Sequence, residues 1–206
     1  MKIKIHTLVL GPLATNTYII ERDDYCIIID CPSDKEEDIK KIEELCQEKE
    51  VLGIIYTHNH FDHISGGHKF KYNQYMHKKD IETLGSQKDF AKTFLNSSIV
   101  LPKVKRLEKI KKKVLNMFGF RILETPGHTK GSICILFENE KILFAGDTLF
   151  KESFGRYDLE DGNFFELRQS LNLLLELDPY TKVYPSHGKT TKIYDEIANL
   201  SEFLKE

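Results

Sequence analysis

The segment Thr57-His58-Asn59-His60-Phe61-Asp62-His63 constrains this chain more than any other part of it. It places three imidazoles and a carboxylate within six residues, directly after the apolar run Val51 to Tyr56. Side chains two apart point the same way only while the backbone is extended. His58 and His60 are therefore expected to share a face as the chain leaves a strand, with Asp62 and His63 one bend further on. Imidazole nitrogen and carboxylate oxygen together suit zinc or another borderline divalent ion.

Three further segments repeat the pattern of an apolar run that ends in one His or Asp beside small residues. Pro126-Gly127-His128-Thr129 follows the run ending at Glu124, Gly146-Asp147-Thr148 follows Ile142 to Ala145, and Ser186-His187-Gly188 follows Val183 to Pro185. Glycine at such points lets backbone and ion come close. The candidate ligands are thus His58, His60, Asp62, His63, His128, Asp147 and His187. Any one of the last three, taken alone, is an ordinary loop residue; four strand ends offering ligands together are what a preformed metal cleft requires.

The rest of the sequence sets the frame. A length of 206 residues with 40% hydrophobic residues suits one domain, 1–206. A formal net charge of -2 demands neither nucleic acid nor membrane as partner. No apolar run approaches the roughly 20 residues of a membrane span, and the alternating start Met1 to Ile5 lacks the core of a signal peptide, so a cytoplasmic location is expected. Cys26, Cys31, Cys46 and Cys134 form no C-x-x-C pair and read as reduced, buried thiols. Seven Lys or Arg and one Glu between Lys103 and Lys113 read as a solvated face.

Strands are expected at 2–9, 17–21, 25–30 and 51–56, and again at 114–124, 131–138, 141–146 and 182–184. Helices are expected at 34–49, with Ser33 and Glu36 as a capping box, and at 163–177 and 190–204. Short helices are expected at 64–70 and 78–85, while 86–113 carries no clear pattern. Such an order suits sheets covered by helices.

The segments H-x-H-x-D-H, P-G-H-T, G-D-T and S-H-G, in this order, resemble the metallo-β-lactamase superfamily from Asn16 through His187. Gly146-Asp147-Thr148-Leu149-Phe150, followed by Gly155-Arg156-Tyr157-Asp158-Leu159, is similar to its glyoxalase II-like (hydroxyacylglutathione hydrolase-like) branch, short form. The resemblance implies an α/β (α+β) fold, a four-layer αβ/βα sandwich. It assigns His58, His60 and His128 to one metal, Asp62, His63 and His187 to a second, and Asp147 to both. The ions implied are two divalent metals, zinc first, with iron or manganese as alternatives. Asp30, at the end of Ile27-Ile28-Ile29, resembles a structural aspartate of the branch; it reads equally as a turn or capping residue. Lys130 stands where the family often has Pro.

The chemistry expected is attack on a thioester by a hydroxide shared between two ions, with Asp62 and Asp147 as catalytic residues. A thiolate leaving group needs little help from an acid, which favours a small-molecule thioester or ester over an amide. Arg156 and Tyr157 are candidates for substrate contact, with an ion pair and core packing as their plain alternatives. A second reading is a persulfide dioxygenase-like oxidoreductase holding one iron on His58, His128 and Asp147.

Overall fold

The computed structural model describes residues 2–201, 203 and 204, and the chain divides into two compact units, Met1–Val114 and Leu115–Glu206. Among the described residues no helix is long and apolar enough to cross a membrane.

The first unit is built on a six-stranded sheet in the order β1 (Lys4–Leu10), β2 (Thr15–Arg22), β3 (Tyr25–Ile29), β4 (Glu50–Ile55), β5 (Gln74–Met76) and β6 (Lys105–Arg106). β1, β2 and β3 pair antiparallel through tight turns; β3, β4, β5 and β6 pair parallel. Parallel strands need crossovers, and helices supply them here. α1 (Glu36–Cys46) joins β3 to β4. Its buried Ile39, Ile42 and Cys46 recur at helical spacing and pack on Ile19, Ile28 and Ile54 of the sheet. α2 (Phe61–Ile64) follows β4, and α3 (Lys78–Thr83) and α4 (Gln87–Leu95) lie between β5 and β6.

In the second unit α5 (Lys112–Phe118) crosses the division and leads into β7 (Arg121–Glu124), β8 (Ile133–Phe137) and β9 (Ile142–Gly146). A small hairpin, β10 (Leu149–Phe150) with β11 (Ser153–Phe154), precedes α6 (Phe164–Leu175), β12 (Lys182–Pro185), β13 (Thr191–Lys192) and α7 (Ile193–Asn199). The five-stranded sheet runs β13-β12-β9-β8-β7. α6 covers it with buried Leu167, Leu171 and Leu174, one helical face, against Leu136, Leu143 and Val183. Each such leucine contributes about 2 kcal/mol by leaving water.

The structure corrects several expectations. Residues 114–118, expected as strand, belong to helix α5, and Val114 and Phe118, four apart, are its buried pair. The capping box is not formed: α1 starts at Glu36, and the Ser33 hydroxyl accepts from the Lys35 amide at 3.3 Å. The closing helix is confined to 193–199, after a strand pair at 191–192; position 202 of the expected helix, and Met1 of the opening segment, lie outside the described residues. Helix α4 and strand β5 arise where no regular element was expected.

Candidate metal centre

Parallel strands emerge at the same sheet edge, so in the first unit Asp30, the segment after β4 and the segment after β5 gather there. His58, His60, Asp62 and His63 are all buried. The ligand atoms of His58 and His60, of His58 and His63, and of Asp62 and His63 lie within 4.8 Å of each other. Ring centroids are 4.7 Å apart for His58 and His60 and 3.9 Å for His58 and His63.

Asp30 organises this set. It is fully buried with φ at 58°, left-handed backbone that Asp tolerates better than most residues. Its Oδ1 accepts from the Thr57 amide at 2.8 Å, and its Oδ2 accepts from the Thr57 hydroxyl at 2.8 Å and from His63 Nδ1 at 2.9 Å. With its proton given to Asp30, the Thr57 oxygen is left to accept from His58 Nδ1, 3.1 Å away. One carboxylate therefore fixes two imidazoles with protons on Nδ1, so that Nε2 is the basic nitrogen of both. A second buried carboxylate, Asp80 of α3, accepts from the Asn59 amide at 2.9 Å, and the Asn59 side chain donates to the Asp80 carbonyl and to Thr83. Gln87 of α4 accepts from the Phe61 amide at 3.1 Å, and Thr15 donates to Asp62 Oδ2 at 3.3 Å.

In the second unit the sheet itself spaces the ligands. β9 and β12 are parallel neighbours, while β7 and β9 both run antiparallel to β8, so the ends of β7, β9 and β12 share one edge. They carry His128, Asp147 and His187. His128 Nε2 lies 3.5 Å and His187 Nε2 3.6 Å from Asp147 Oδ2. His128 Nδ1 donates to the Arg156 carbonyl at 2.7 Å, which again reserves Nε2. Two glycines make this approach possible. A Cβ on Gly155 would stand 1.7 Å from the Asp147 carbonyl oxygen. Gly127, at φ 129°, would drive one into the Leu167 amide, 2.1 Å away, where α6 begins.

The remaining residues singled out by the sequence have other partners for their side chains. The Arg156 guanidinium makes a two-point ion pair with Asp158 at 2.8 and 2.9 Å; that partner holds Asp158 below the usual carboxylate range. Arg156 reaches the ligands through its backbone. Tyr157 packs edge-on against Phe164 at 5.1 Å. Lys130 pairs with Asp161 at 2.9 Å. His77 is buried and accepts from the Lys79 amide as it starts α3; His68 is half-buried and bonds the Ser65 carbonyl. His6 pairs with Glu21. All four cysteines are buried and free.

Thr57, Asn59, Asp80 and Gln87 were missed as parts of the site. Asn59 occupies a variable position of the motif and Thr57 directly precedes it, and that placement was their only signal.

The donor set fits divalent cations. Histidines that donate Nδ1–H to a carboxylate or carbonyl and keep Nε2 for the ion are the usual outer support of metal ligands. Residues 10–187 match the model of the metallo-β-lactamase superfamily. The chain belongs to that superfamily. All seven ligand candidates fall inside the matched span. A probable metallo-hydrolase of Streptococcus pyogenes is 32% identical over 94% of this chain and 87% of its own length. The hydroxyacylglutathione hydrolase of Francisella tularensis subsp. novicida is 34% identical over 67% of this chain, which covers 50% of that enzyme. This supports the glyoxalase II-like branch. Among solved structures, TTHA1623 in a di-iron-bound form superposes with TM-score 0.83 at 30% identity, over 94% of this chain and 98% of that one. The B3 metallo-β-lactamase BLEG-1 superposes with TM-score 0.85 at 31% identity, over 98% and 100%. The protein has the metallo-β-lactamase fold and is a metallo-hydrolase by family.

Proposed function

We propose that this superfamily member hydrolyses small thioesters, of the hydroxyacylglutathione kind, with two divalent ions, zinc first. His58, His60 and His128 would hold one ion, Asp62, His63 and His187 the other, and Asp147 both. Ions so held supply Lewis acidity and lower the pKa of a bound water toward neutrality.

One observation carries the choice of thioester. Among the described residues, the carboxylates beside the first ligand set are engaged as acceptors: Asp30 takes three donors and Asp80 takes the Asn59 amide. An amide leaving group needs a proton from an acid, and these two carboxylates have acceptor work to do instead. A thiolate leaves without that help near neutral pH. Asp62, whose Oδ2 accepts from Thr15, would orient an attacking water and take up a proton. The single-domain reading of residues 1–206 belongs to the same proposal.

The test is metal analysis together with a substrate panel. Two ions per chain and turnover of S-lactoylglutathione or a simple acyl-thioester are expected. Protein with both ions bound that leaves every thioester intact would sink the proposal. One iron per chain with oxygen uptake on a persulfide would replace it, and turnover of a β-lactam alone would do so too.

A further inference from the structure

Resting on the thioester proposal, we infer that Phe90 and Phe94 form a binding strip for an apolar acyl group, roughly hexyl- or phenyl-sized, beside the ligand His60. α4 is fastened to the ligand turn by Gln87, whose side chain accepts from the Phe61 amide. Three residues on, Phe90 lies nearly parallel to the His60 ring, with centroids 5.8 Å apart and planes 17° from each other. One turn further, Phe94 packs on Phe90 at 4.5 Å. Positions 87, 90 and 94 fall on one helical face. The result is a continuous row of rings that starts at a buried ligand and ends at a side chain 56% exposed.

A scattered surface phenylalanine is ordinary. Phe94 differs because its inner neighbours lead directly to the reacting centre, so apolar substrate bound along the row would end beside His60. The size follows from a neighbouring hollow of about 150 Å³ with a mixed lining, apolar at Pro12, Pro32, Phe61, Leu95 and Ile99 and polar at Asp34, Lys35 and four serines. It shares Phe61, which is 5.9 Å from Phe90, and the end of α4 with the strip. A cavity of that volume takes a benzene-sized group.

Each methylene removed from water is worth roughly a factor of four. A hexanoyl thioester has four more than an acetyl thioester, and half-burial of these gives a preference of roughly tenfold or more in kcat/KM. The experiment compares S-acyl cysteamine thioesters from acetyl to hexanoyl and phenylacetyl, in the parent, in Phe94→Ala and in Phe165→Ala, an exposed aromatic on α6. The hexanoyl-to-acetyl ratio should collapse toward one in Phe94→Ala and persist in Phe165→Ala. Equal efficiency on all acyl groups by the parent overturns the strip and leaves the thioesterase standing. If no thioester reacts, that proposal fails, and calorimetry of hexanoate against acetate on the metal-loaded protein judges the strip alone. Hexanoate binding no tighter than acetate, or binding unchanged by Phe94→Ala, overturns it.

Discussion

Replacing Asp30 with Asn changes one atom and leaves the volume almost unchanged, yet it should loosen the metal ligands. Three donors converge on the two oxygens of Asp30: the Thr57 amide, the Thr57 hydroxyl and His63 Nδ1. An amide offers one acceptor oxygen. If its NH2 takes the place of Oδ1, it meets the Thr57 N–H head-on. If it takes the place of Oδ2, it meets His63 Nδ1–H, and the imidazole must move its proton to Nε2, where an ion would bind. Losing the charge-assisted bond and leaving a buried donor unmet costs about 2–4 kcal/mol of stability. Weakened support of a ligating histidine costs roughly 10- to 100-fold in metal affinity. Competition against a chromophoric chelator reads the affinity, and thermal unfolding of metal-free protein reads the stability. Thr57→Ser keeps the hydroxyl and should bind metal like the parent. Asp30→Asn with parental metal affinity would refute the reasoning, even if its melting point fell.

Three other outcomes are expected. Gly155→Ala sets a methyl against the Asp147 carbonyl, a clash that no rotamer relieves, so more than about 3 kcal/mol of stability should be lost along with metal content; a parental denaturant midpoint would contradict it. Burial pushes the Cys134 thiol up to about 11 against the lowering effect of Thr125 and Thr148, and pushes Cys31 higher still, so neither should react with a disulfide reagent at mildly alkaline pH until the chain unfolds; rapid labelling of folded protein would refute this. At Asp38 burial acts to raise the pKa, but hydrogen bonds from Lys41, Ser33 and the Gly11 amide outweigh it and hold the group below its ordinary 3.8. A depressed folded value means its stabilisation is complete above that ordinary value and vanishes as pH falls through the folded one. The stabilities of the parent and of Asp38→Asn should therefore differ near neutral pH and converge in strong acid; a pH-independent gap in denaturant melts would count against it.

The candidate ligand loops stood out in the sequence because each sits where a hydrophobic run stops. Val51 to Tyr56 and Ile142 to Ala145 announce strands by composition, and a His or Asp at the end of such a run has few other duties. The support around the ligands was far less visible. Asp80 stands in Lys-Lys-Asp-Ile, which reads as a solvated helix start, yet it is fully buried beneath Asn59. Nothing local reveals that; only the crossover from β5 brings it there. Residues 114–118 misled for a related reason, while 121–124 formed the strand expected there. Val, Leu, Met and Phe serve strands and helices alike, and the deciding fact is burial of Val114 and Phe118 by distant chain. Helix α4 was obscured by its polar composition, with one narrow apolar face carrying Ala91, Phe90 and Phe94.

The excursion from 77 to 104 leaves one strand end and returns as the next strand of the same sheet. Hydrogen-bond spacing across that sheet, rather than the excursion, sets the distances among the groups on its rim. The excursion can therefore be rebuilt in length and sequence, so long as a carboxylate like Asp80 still meets Asn59 and an acceptor like Gln87 still meets the turn at Phe61. Inheritance of the chemistry and choice of diet are thereby separable, and a graft of another family member's loop between β5 and β6 should redirect the enzyme without emptying it of metal.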